Sequence, residues 1–263
     1  NQFSIGSNQS GGRVTIPVGG TLNLGSLSQR TTLLIGTGDA ITNNTYGGTL
    51  DLTNATLIAY LADVTIGVKI SDAGFQQGIL TIGTSPSNYV EANNITLGGF
   101  RGIGTLNFGG GVLIANSIAR GPGTATFNWT GGQLSVGTFG TPTTPFNLNN
   151  NSGTLAPGSA SQQIGSTTLY GNYAQGAAAT MAVDISVSGN DLLAISGSAT
   201  LSGNLAVSLK GGFTAAPLQR FDVMTYASHS GAFTAAGPIS AGGQLVFAPI
   251  YSANKLTLVA TLP

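Results

Sequence analysis

The sequence predicts an all-β chain wound into the stacked coils of a β-solenoid. Three observations carry that expectation. Short apolar–polar alternations recur along the chain, glycine-rich turns separate them, and the spacing between copies is that of a solenoid repeat. The densest example is 104–136, GTLNFGGGVLIANSIARGPGTATFNWTGGQLSV. Thr105-Leu106-Asn107-Phe108 alternates as a strand with one buried face must, and Thr126-Phe127-Asn128-Trp129 repeats it. Gly109-Gly110-Gly111, Gly121-Pro122-Gly123 and Gly131-Gly132 turn the chain between strands. No part of this stretch offers a helix, and no Asn-Gly or Asp-Gly dipeptide marks a tight hairpin. A coil on its own exposes its hydrogen-bonding edges and much of its apolar area; stacking pairs the first and buries the second.

In chain order, residues 1–20 are polar and Gly-rich and read as an N-terminal arm or cap. Residues 21–153 read as solenoid coils. The T-L-x-L pattern starts at Thr21, Thr49, Ile79, Thr105 and Thr126, which gives spacings of 28, 30, 26 and 21 residues. The asparagines Asn147, Asn149, Asn150 and Asn151 read either as a side-chain ladder at turns or as a solvated loop. Around Gly153 the texture changes. Residues 154–263 read as an irregular C-terminal β region, with turn signals every 8 to 12 residues, that continues or caps the solenoid.

Composition narrows the class. The chain has 263 residues, 41 of them glycine, without the three-residue period of collagen. Charged residues are 6 % and the formal net charge is zero, whereas soluble surfaces usually carry roughly 25–35 % charged residues. Thr, Ser, Asn, Gln and Gly must therefore cover the exterior, and weak self-repulsion favours association between copies. Eight scattered basic residues form no patch for nucleic acid. No apolar run is long enough to cross a membrane as a helix. Cysteine is absent, which excludes disulfides and thiolate metal sites. A first residue of Asn, with no leader before it, reads as a mature exported chain from which a targeting segment has been removed.

The residues then carry a resemblance. The elements G-T-L-N-F, the block Gly110 to Ile118, the turn and strand Gly121 to Asn128, and Gly131 to Leu134 resemble the autotransporter-associated strand repeat of secreted bacterial surface proteins. Thr154 to Gly158, Leu169 to Gln175, Asp191 to Leu205, Gly211 to Phe213, Phe221 to Tyr226 and Ser230 to Phe233 resemble the C-terminal part of the same passengers. The resemblance covers 104–263; residues 1–103 match in style alone. It implies a right-handed parallel β-helix, exported and displayed outside the cell. The sequence shows neither the membrane β-barrel nor the sorting tail that would complete such a protein.

Chemistry is sparse. The acids are Asp39, Asp51, Asp63, Asp72, Glu91, Asp184, Asp191 and Asp222. A polysaccharide-degrading site would need carboxylates converging on one face. Asp39 and Asp63 are the pair placed to stack one coil apart, with Lys69 near in sequence; isolated turn residues are the simpler reading. His229, in a Ser/Gly loop, reads as a surface residue. Gly36-Thr37-Gly38 and Gly102-Ile103-Gly104 lack the following helix of a phosphate loop. Trp129 and the tyrosines Tyr46, Tyr60, Tyr89, Tyr170, Tyr173, Tyr226 and Tyr251 offer sugar-stacking rings, but Trp129 shares the phase of Phe108 and reads as packing. The sequons at Asn54 and Asn94 are expected by chance in so Asn- and Thr-rich a chain.

No catalytic, cofactor-binding or metal-binding residue is assigned. The sequence reads as a non-catalytic extracellular structural protein whose partners are copies of itself, joined head to tail into a cell-surface or matrix fibre. The alternative is an adhesin passenger that binds glycans or host surfaces.

Overall fold

A computed structural model describes residues 1–7, 10–38, 45–69, 75–159, 164–234 and 239–263. The protein is all-β, and the described residues contain no helix. A five-stranded parallel sheet holds Gly12–Thr15, Thr45–Leu52, Phe75–Ile82, Gly102–Phe108 and Thr124–Trp129, in that order. Between its strands the chain crosses to a larger sheet through Thr21–Leu24, Thr31–Gly38, Thr56–Lys69, Tyr89–Leu97 and Val112–Arg120, and after the last it enters that sheet again as Gln133–Phe139. A four-stranded parallel sheet holds Leu148–Asn150, Tyr173–Gln175, Ser198–Leu201 and Ser228–Gly231.

Register turns the alternating sequence into columns. Because side chains alternate between faces, in-register parallel strands stack like residues one above another. In the large sheet Leu24, Ala59, Val90, Leu113, Leu134, Leu155, Met181 and Leu205 are successive partners, and all are buried. Leu33, Val64, Ile95, Ile118, Phe139, Leu169 and Ile195 form a second buried column. In the five-stranded sheet Leu52, Ile82, Phe108 and Trp129 form a third. The parallel pairing runs through residue 153, since Gln133 pairs Thr154 and Leu155 pairs Met181.

The T-L-x-L copies at 49, 79, 105 and 126 lie in one ladder, Thr49 to Ile79 to Thr105 to Thr126. The copy at Thr21 does not join them. It pairs with Thr56–Ala59 in the large sheet, and Arg13-Val14-Thr15 occupies its place beside Thr49-Leu50-Asp51. The motif records only that a strand buries one face, and both sheets ask for that.

One corner is made by glycine. Gly6, Gly36, Gly67 and Gly98 directly follow the ladder partners Ile5, Ile35, Ile66 and Leu97. All four have φ between +59° and +64°. A Cβ at Gly67 would lie 2.0 Å from the Ile103 carbonyl oxygen, and one at Gly36 would lie 1.9 Å from that of Gln77. Both the left-handed backbone and the close approach of the next sheet demand glycine here.

The large sheet is mixed. Arg220–Thr225 pairs parallel with Leu192–Ile195, but antiparallel with Lys255–Thr261. Leu245–Tyr251 and Ile239–Gly242 follow, both antiparallel. Phe213, Phe221 and Phe247 meet edge to face beneath these strands.

Candidate interaction surface

The carboxylates of the described residues are engaged locally, and of these Asp184 and Asp191 are neighbours. Asp51 accepts from Thr53 N and Oγ1 and pairs with Arg13 at 2.9 Å; these contacts hold its pKa below the usual carboxylate value. Asp63 accepts from Asn94 Nδ2, and Asn94 Oδ1 accepts from Ser117 Oγ, a polar ladder across three strands. Glu91 takes Arg30 and the Tyr89 hydroxyl. Burial, then the Glu91 contact, pushes the Tyr89 phenol up to about 12. Asp184 pairs with Lys210 at 3.1 Å. Asp222 is held low by Lys255 and Thr257. Asp191 is buried and accepts from the backbone N–H groups of Gly165 and Asp184, yet desolvation raises its pKa to about 6. Asp39 and Asp72 lie outside the described residues. Lys69 is buried beside Gly38 in the sheet. Among the described residues no group of three His, Asp or Glu side chains is close enough to hold a metal ion.

The aromatic residues sort differently from the sequence reading. Trp129 is buried on Phe108, and its Nε1 donates to the Gly131 carbonyl at 2.9 Å. Tyr173 is buried and donates to Gln175. No tyrosine is fully exposed. His229 is no free surface group: its ring lies between Tyr226 and Tyr251, with centroids 5.0 and 5.5 Å away. The exposed aromatic rings among the described residues are Phe75 and Phe100, and both line one hollow of about 480 Å³.

Of the two readings of the asparagine cluster, each has its residues. Asn149 and Asn151 face solvent. Asn150 is buried and accepts from Gly153 N, while Asn147 Oδ1 accepts from Asn172 N and Asn172 Oδ1 from Ser198 N. Asn88, which the sequence did not single out, does the same work earlier in the chain. Its Oδ1 accepts from Leu57 N, and its Nδ2 donates to the carbonyls of Gly83 and Gly110. Its only sequence signal is an Asn after Ser85-Pro86-Ser87, a common turn composition.

Two surface features remain. The strands Gln2–Ser7, Gly12–Thr15 and Thr21–Leu24 each pair on one side only among the described residues. Their apolar side chains Phe3, Val14 and Leu22 are half-buried, whereas Leu33, Leu50 and Leu57 beneath them are fully buried. The second feature is a break. Thr124–Trp129 ends the five-stranded sheet and Leu148–Asn150 begins the four-stranded one, and no strand ladder joins them. A hollow of about 360 Å³ opens there, lined by Arg120, Phe127, Asn128, Phe146, Asn147 and Asn149 among others.

No protein-family model matches the sequence, and no curated protein matches it. The resemblance to strand-repeat passengers therefore rests on the residues themselves.

Proposed function

We propose that this chain is a non-catalytic, extracellular structural protein, a right-handed parallel β-helix that associates with its own copies into a cell-surface or matrix fibre. The open edges of Gln2–Ser7, Gly12–Thr15 and Thr21–Leu24 carry this reading. They hold neither lysine nor proline, and their one charged residue, Arg13, is paired with Asp51. The half-buried apolar side chains above full columns offer a further rung both hydrogen bonds and apolar area. At the opposite end the strands pair antiparallel, so the two ends differ. Contact between unlike ends is heterologous and propagates rather than closes. The local pairing of the carboxylates fits a wall more readily than a catalytic cleft.

Negative-stain electron microscopy tests the proposal. Filaments that lengthen with concentration are expected, and Leu22→Lys on the open edge shortens them. Uniform monomers at every concentration overturn it. A second reading, an adhesin that binds glycans, is favoured by the paired exposed rings of Phe75 and Phe100 around one hollow. Glycan-array binding lost in Phe100→Ala would support that reading, and silence across the array would refute it.

A further inference from the structure

Arg120 stands where the fold calls for an apolar residue. Its ladder partner is Leu97, and the positions beyond it in the same column are Ile66, Ile35 and Ile5, all buried. At the next step the column ends on a guanidinium. No ion pair among the described residues neutralises it. Its Nη2 donates to the Gly123 carbonyl at 3.3 Å, while Nε is buried and has no hydrogen-bond partner. The residue as a whole is half-buried, so the guanidinium reaches the hollow while its Nε is shut from water, and a buried donor left unmet is costly.

The surroundings are polar on one side and apolar on the other. Asn128 donates to Asn107 through Nδ2, which leaves its Oδ1 as an acceptor. Asn147 uses Oδ1 to take the Asn172 N–H, which leaves its two amide hydrogens. Asn149 is exposed, and its amide makes no hydrogen bond within the described residues. Phe127 and Phe146 provide flat carbon faces; both pack on Phe139. The break between the sheets also leaves the outer edge of Thr124–Trp129 without ladder partners.

The geometry points to a binding site for an acidic sugar residue, a hexuronate unit of a glycan, in this hollow at Arg120. An arginine fork suits a planar carboxylate. Three amides with donors and acceptors to spare suit sugar hydroxyls, and phenylalanine faces suit the C–H side of a pyranose ring. Among the described residues no carboxylate lines the hollow to compete. The assignment rests on the glycan-binding reading but not on self-association.

Isothermal titration of the whole chain with trigalacturonate, and with its neutral galactose counterpart, tests it. Saturable binding of trigalacturonate is expected, weaker by at least tenfold for the neutral sugar and for Arg120→Gln. Asn149→Ala removes an exposed, unbonded side chain and leaves the fold intact; it should weaken binding several-fold. Raised salt should weaken binding too. The proposal is overturned by no saturable binding, by equal binding of both sugars, or by Asn149→Ala and a folded Arg120→Gln both binding as the parent does. Equal affinity for a glutamate peptide overturns it as well, since charge alone would then suffice. Binding of other glycans on an array, with none of trigalacturonate, would spare the adhesin reading and remove this site.

Discussion

Truncating Leu134 to alanine tests the columns directly. Leu134 lies between Leu113 and Leu155, and all three are wholly buried. The strands on both sides are fixed by ladder hydrogen bonds, so the gap left by the lost atoms cannot close by a shift of one strand. A buried Leu→Ala change costs about 2–5 kcal/mol, more where the site cannot collapse, so roughly 3–5 kcal/mol is expected here. Leu24 stands at the open end of the same column. It has Ala59 on one side and no ladder partner on the other among the described residues. Leu24→Ala should cost about 1–2 kcal/mol, because with no rung beyond it the site can collapse into the gap. In urea, with a slope of about 3 kcal/mol/M, the first variant moves the midpoint down by about 1 M or more and the second by about half of that or less. Circular dichroism and the fluorescence of the single tryptophan should follow one transition, as the comparison of free energies requires. If Leu134→Ala costs no more than Leu24→Ala, the interior is not a set of continuous columns and the argument fails.

Three further outcomes are expected. In Gly153→Ala the new Cβ would lie 2.3 Å from Trp129 Nε1; the indole must move off Gly131, so its emission shifts to the red and stability falls by about 1–3 kcal/mol. Asn88→Asp turns a donor into a carboxylate facing the Gly83 and Gly110 carbonyls. The loss should be about 3 kcal/mol or more at neutral pH and smaller below pH ~4, where the acid is protonated; melting curves at the two pH values decide it. Asp191 binds its proton more tightly folded than unfolded, since its pKa is about 6 against the ordinary 3.8. The folded state therefore gains stability as pH falls from about 6 to about 4, by roughly 1 kcal/mol after allowing for solvent screening. Thermal melts should show this rise, and Asp191→Asn should flatten it.

That the chain is all-β was legible because its signal is repeated. Each of Leu50, Leu80 and Leu106 obeys the same alternation, and their shared register makes one buried row. Which sheet a copy joins was not legible: Thr21–Leu24 carries the same pattern as Thr49–Leu52 yet lies in the other sheet. Alternation reports burial of one face and nothing about the neighbour across the ladder. The antiparallel pairing of Lys255–Thr261 was likewise hidden, since parallel and antiparallel strands share a period of two. Asn88 and Arg120 escaped notice for a related reason. Asn88 acts on carbonyls 5 and 22 residues away, and Arg120 is unusual only against Leu97, a partner 23 positions back in the sequence (120 − 97).

The corner of Gly6, Gly36, Gly67 and Gly98 sets the grammar by which such a chain can change length. Each glycine must meet a carbonyl of the neighbouring sheet, so inserting or losing a single residue within one of these strands sets a side chain against a backbone oxygen. Copying or excising the whole interval from one such glycine to the next brings like positions together at the seam. Growth and shrinkage by entire repeats, with the loops between free to drift, is the kind of variation this architecture tolerates.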